Sequence, residues 1–77
     1  DAVARVYPNP VTDYLWFSFP WKESTQVIVS DYTGKMMGVY QISSGESLYV
    51  GALPSGVYYA VLFAPEGNRQ LIRFVRQ

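Results

Sequence analysis

Cysteine and histidine are both absent from the 77 residues. Without cysteine there is no disulfide and no thiolate metal site, two common staples of very small domains. Without histidine there is no Ser-His or Cys-His nucleophile pair, no imidazole zinc ligand and no general base of the usual kind near neutral pH. Neither sign of charge is in excess, with six Lys and Arg against six Asp and Glu. The basic surplus of a non-specific nucleic-acid binder is therefore missing. Long apolar runs are missing too. The longest is the eight residues Val57–Ala64, where a membrane-spanning helix needs about 20. No Asp-x-Asp-x-Asp calcium loop and no glycine-rich phosphate loop occurs. The first five residues, Asp1 to Arg5, lack the basic start and apolar stretch of a signal peptide. They open on an acid rather than Met, as expected of a module cut from a longer protein.

What is present is apolar and aromatic: 49% hydrophobic and 17% aromatic residues. A chain of this length hides only about 60% of the surface its unfolded form exposes, so core quality decides stability. No 11-residue window keeps a 3.6-residue period, and Ala and Leu are sparse. Seven short segments rich in Val, Ile, Tyr, Phe and Trp, near 2–6, 14–19, 25–30, 36–42, 47–51, 57–63 and 69–76, read as strands. Between them lie turn sequences with a mechanism. In Asp31-Tyr32-Thr33-Gly34 the Asp leads a type I turn and the Gly closes it. Val27 and Val29 before it and Met37 and Val39 after it form a hairpin. Leu53-Pro54-Ser55-Gly56 and Ala64-Pro65-Glu66-Gly67 repeat that logic, and Ser43-Ser44-Gly45 is a weaker instance. Tyr7-Pro8-Asn9-Pro10 differs. Its prolines remove two backbone donors and hold the residues before them extended, so it bridges the first strand to the second. Turns every 8–12 residues indicate an all-β fold, a small seven-stranded antiparallel immunoglobulin-like β-sandwich, with residues 1–77 as one domain.

Alternation assigns Leu15, Phe17, Val27, Val29, Leu48, Val50, Tyr58, Ala60, Leu62, Ile72 and Phe74 to the core. The two strands 14–19 and 57–63 are apolar on both faces. Their surplus, Tyr14, Trp16, Val57, Tyr59, Val61 and Phe63, is either covered by neighbouring aromatics and loops or is an outward patch that meets a partner.

Four motifs occur in order: Tyr7-Pro8-Asn9-Pro10-Val11 with Leu15; Asp31-x-x-Gly34-Lys35; Leu53-Pro54-Ser55-Gly56-Val57-Tyr58; and the basic last strand Arg73-Phe74-Val75-Arg76. Together they resemble the type A carboxy-terminal sorting domain of proteins exported by the type IX secretion system of Gram-negative bacteria. The resemblance runs from Val6 to Gln77. It implies a seven-stranded sandwich that ends a larger precursor. It also implies passage through the periplasm and then delivery across the outer membrane to the cell surface or the medium. The implied partners are outer-membrane translocon and shuttle proteins, and a sortase-like cysteine protease that cuts upstream of the folded part, with Asp1 at or just after the cut. The domain is then an address and a substrate, with no cofactor, no catalysis and no nucleic-acid partner. Family members often carry Lys in the last strand, where this chain has Arg73 and Arg76; the charge is kept and the donor geometry changes.

Each motif residue has two readings. Pro8, Asn9 and Pro10 form a rigid connector or a feature read by export machinery. Asp31, Gly34 and Lys35 form a hairpin turn with a solvated cation, or a recognition point. Leu53, Pro54, Ser55 and Gly56 form a turn with positive φ at Gly56, or a contact, and Tyr58 is a core residue with a bonded hydroxyl, or a contact. Arg73 and Arg76 are solvated cations or charges read by export machinery, since three arginines (Arg69, Arg73, Arg76) gather in the last nine residues; Arg73 points to solvent, and Arg76, at a fraying end, also reaches water. The six carboxylates, Asp1, Asp13, Glu23, Asp31, Glu46 and Glu66, form no motif, and so small a sandwich has little volume for the cleft that a carboxylate pair needs. The rival reading is a carbohydrate-binding accessory module whose stacking platform is Trp16, Trp21, Tyr14 and Tyr59.

Overall fold

A computed structural model describes residues 3–77. The seven strands are β1 (Arg5–Tyr7), β2 (Tyr14–Ser18), β3 (Thr25–Asp31), β4 (Met36–Ile42), β5 (Ser47–Tyr49), β6 (Gly56–Phe63) and β7 (Arg69–Arg76). They form two antiparallel sheets, ordered β1-β2-β5 and β4-β3-β6-β7. This is a small β-sandwich, as the turn spacing predicts.

The first strand begins later than expected. Ala2 lies outside the described residues, and the backbone N–H of Ala4 donates to Gln70 Oε1 at 2.7 Å rather than to β2. The strand runs on through Tyr7, opposite Trp16, because Pro8 holds the residue before it extended. β5 stops at Tyr49 instead of residue 51. The backbone turns at once, with the N–H of Leu53 donating to Val50 O at 3.0 Å. That turn, Val50–Leu53, begins three residues before the expected Leu53–Gly56 and is the hydrogen-bonded one. The β6–β7 connection is also a correction. Pro65–Gly67 forms one 3₁₀ turn in which Glu66, as well as Gly67, takes a positive φ, 69° against 84°.

The core between the sheets holds Val11, Leu15, Phe17, Val27, Val29, Val50, Tyr58, Ala60, Leu62 and Phe74, joined by Ala4, Phe19 and Ile42. Leu48 and Ile72, expected in the core, are half-buried, because each sits on the outermost strand of its sheet. Phe19, one residue past β2, keeps the inward parity of Leu15 and Phe17 and stacks on Trp21 at 4.5 Å. Thr25 is buried, and its hydroxyl donates to the Phe63 carbonyl. The β3–β4 ladder slips by one residue: Val29 pairs with Gly38 and Ser30 with Met36, leaving Met37 bulged.

Candidate functional site

The four motifs meet at one pole of the sandwich. Sheet pairing brings them there: Asp31 lies opposite Tyr58 on the neighbouring strand, and Gly56 lies opposite Arg76.

The Pro8–Val11 segment leaves the three-stranded sheet and straps the outer edge of β7. Asn9 is the clip. Its Nδ2 donates to Arg73 O at 3.1 Å, and its Oδ1 accepts from the N–H of Val75 at 3.0 Å. One amide side chain thus satisfies a donor and an acceptor that an eighth strand would otherwise take, which closes an exposed sheet edge. Val11 continues the strap. Its N–H donates to Val75 O at 2.8 Å, its carbonyl accepts from the N–H of Gln77 at 2.9 Å, and its side chain is fully buried. Pro8 and Pro10 follow cis peptide bonds and are exposed.

The β3–β4 turn is built on Asp31. Its Oδ1 accepts from the hydroxyl of Thr33 at 2.6 Å, from the N–H of Thr33 at 2.9 Å and from the N–H of Lys35 at 3.0 Å. The Thr33 hydroxyl chiefly, then those N–H groups and the Lys35 ammonium, hold the carboxyl below its ordinary pKa. Gly34 donates to Asp31 O at 3.0 Å with φ at 92°, a conformation that favours glycine. Lys35 is exposed.

Pro54 and Ser55 are exposed, Leu53 packs against the core from a half-buried position, and Gly56 has a positive φ of 155°. Tyr58 is a core residue whose hydroxyl donates to Pro54 O at 2.5 Å. This is the tyrosine-corner arrangement of immunoglobulin-type sandwiches. Its ring stacks on Phe74 at 5.7 Å. A cavity of about 330 Å³ lies between the two turns, lined among others by Asp31, Lys35, Met37, Pro54, Gly56 and Tyr58.

The last strand divides its two cations. Arg73 is exposed, as expected. Arg76 is not a frayed, solvated end: it is half-buried, and its guanidinium donates from Nε to Val50 O at 3.2 Å and from Nη2 to Gly51 O at 2.6 Å. The strand end is held by the Val11 bonds, and Arg76 shares Phe74's inward parity, so its side chain turns onto the β5–β6 loop.

The sugar-stacking platform is not assembled. Tyr14 and Trp16 are exposed on the outer face of the three-stranded sheet, Tyr59 lies on the outer face of the other sheet, and Trp21 is half-buried against Phe19. Tyr7 and Tyr49, which the sequence pattern assigns to no aromatic surface, join Tyr14 and Trp16 instead; cross-strand pairing of Tyr7 with Trp16 and of Tyr14 with Tyr49 is the signal. Among the described residues no group of three His, Cys, Asp or Glu side chains is placed to hold a metal ion. No helix among them is long and apolar enough to cross a membrane.

Compared with known proteins, residues 5–74 match a family model described as a secretion system C-terminal sorting domain. No curated protein and no solved structure matches the chain.

Proposed function

The chain belongs to the family of secretion system C-terminal sorting domains, and from that premise we propose how its parts serve the address. It is a carboxy-terminal sorting signal for type IX secretion, and it implies export toward the cell surface or the extracellular space. A sorting domain of this kind is not known to be catalytic.

We infer further that residues 1–77 act as one unit at the end of a larger cargo that crosses the periplasm first. Outer-membrane translocon and shuttle proteins then engage the unit, and a sortase-like cysteine protease cuts upstream of it. Of the motif residues, Lys35, Pro54, Ser55 and Arg73 are the candidates for contact, because they stand exposed at or beside the pole. Asn9, Asp31, Gly34, Gly56, Tyr58 and Arg76 act through the shape of that pole. Leu53 anchors its turn to the core, and Pro8 and Pro10 frame the Asn9 clip. The observation that carries the reading is the family match over residues 5–74.

The test is export of a periplasm-targeted reporter carrying residues 1–77 at its carboxy terminus, in a bacterium with the secretion system. The reporter is expected at the cell surface or in the medium. Reporter that stays in the periplasm with the appended domain folded, as judged by protease resistance, overturns the reading.

A further inference from the structure

The outer face of the four-stranded sheet is apolar where a solvated sheet face alternates to polar. Cross-strand pairing aligns Val39, Ile28, Val61 and Leu71 in one row that crosses all four strands. Val39 and Leu71, at its two ends, are 47% and 66% exposed. Tyr59 and Phe63 flank the row on β6, and opposite them on β7 stand the exposed Arg73 and Arg69. No carboxylate occupies a paired position on this face; the remaining polar side chains there are Gln26, Gln41 and Ser30. Leu71 borders two shallow depressions, one shared with Ser30, Asp31, Thr33 and Tyr59, where the Asp31 carboxylate is taken up by the N–H groups and hydroxyl of its own turn, and the other with Val61 and Arg69.

We propose that this face is a second contact surface of the sorting signal, and that its occupant is a protein surface with an apolar centre edged by carboxylates. The inference rests on the sorting reading above. Charge complementarity selects the occupant. Among the described residues the two guanidiniums have no carboxylate at a paired position of the face, and they call for carboxylates, which they bind in a bidentate fork. A second copy of the same face brings arginines and no carboxylate, so self-association leaves those charges unpaired. An anionic membrane is the poorer match: surface binding of that kind uses clusters of four or more cations, and this face has two. A face of four strands and about eight residues spans roughly 500 Å² from strand spacing and rise. That area belongs to weak, transient contacts, as suits a signal that is engaged and then released.

The test uses the whole precursor ending in this chain. Three double variants are compared: Val39→Ser with Leu71→Ser, Arg69→Glu with Arg73→Glu, and Arg69→Lys with Arg73→Lys. All three replace exposed side chains, and unchanged thermal melting verifies their fold. The Ser pair and the Glu pair are each expected to lower export about tenfold, the effect of losing one moderate contact, while the Lys pair keeps most of it. Folded Ser or Glu variants exported at the normal rate, either one, overturn the proposal. So does flotation of the precursor with phosphatidylglycerol vesicles that both pairs abolish, or a dimer that both pairs dissolve in sedimentation. Failure of the unaltered precursor to be exported is a different outcome: it removes the sorting reading and this surface's proposed role with it.

Discussion

Around the pole, Asn9, Asp31, Tyr58 and Arg76 all direct polar atoms at backbone groups, some close in sequence and some more than 60 residues away. On the outer face of the four-stranded sheet, beside the same Asp31–Gly34 turn, the Arg69 and Arg73 side chains are exposed, with no side-chain hydrogen bond among the described residues, and Leu71 stands mostly in water. The residues of the four motifs and the exposed residues of that face are therefore largely different sets. A sequence motif can be a folding instruction, and the contact surface can lie beside it in residues that no motif contains. The comparison is open to direct attack, because the first set should govern melting and the second should govern transport.

The largest effect is expected where the pole meets the core. Phe74 is fully buried and stacks on Tyr58, so Phe74→Ala should cost about 3–5 kcal/mol. For a chain with no disulfide that is most or all of its stability, and circular dichroism should report a largely unfolded protein. A folded Phe74→Ala variant would mean that the core tolerates a hole beneath the pole, and the coupling between motif and core would fail.

Next comes the clip. Asn9→Ala leaves the Val75 N–H and the Arg73 carbonyl without their partner on the edge of β7. Water can reach both, so the expected loss is about 1–2 kcal/mol in urea unfolding. Asn9→Asp sharpens the point. A carboxylate still accepts from Val75 but presents no donor to Arg73, so it should fall between the parent and Asn9→Ala. If Ala and Asp melt with the parent, the strap is decoration.

Much of this was legible in the residues, for identifiable reasons. Strand positions follow from apolar alternation bounded by turn formers, which are local signals; the β3–β4 turn follows from Asp31 and Gly34 in the same way. Phe74 and Tyr58 were legible as core by parity. The destination of Asn9 was not, because its partners lie 64 and 66 residues along the chain and nothing local names β7. Val11 escaped the core assignment since it belongs to no strand, only to a bridge with Arg76. The bulge at Met37 was hidden because alternation presumes an unbroken ladder. Arg76 is the instructive case: nearness to the chain end suggests fraying, but its parity with Phe74 points inward, and the Val50 and Gly51 carbonyls hold it there. The apolar row from Val39 to Leu71 needed the register of three strand pairs at once, which only tertiary structure supplies.

The smallest expected effects come from the two last-strand arginines, and they separate most sharply the two regions compared above. Arg76 donates to the Val50 and Gly51 carbonyls, which are partly buried. A glutamine in its place is too short to reach both, so Arg76→Gln should cost about 1–2 kcal/mol, charged hydrogen bonds being the stronger kind. In a chain of this size each kcal/mol lowers the melting temperature by about 4–8 °C. Arg73, exposed and on the opposite parity, has no such partner among the described residues, and Arg73→Gln should change stability by less than about 0.5 kcal/mol. Export should order the pair differently. Arg76→Gln should be exported roughly in proportion to its folded fraction, and growth at a lower temperature should restore it. Arg73→Gln should be folded at every temperature and still be exported less well, because what it loses is a charge presented to a partner. Equal melting of the two variants would mean that Arg76 is no clasp. A cold-rescued Arg73→Gln would mean that the last strand contributes shape alone.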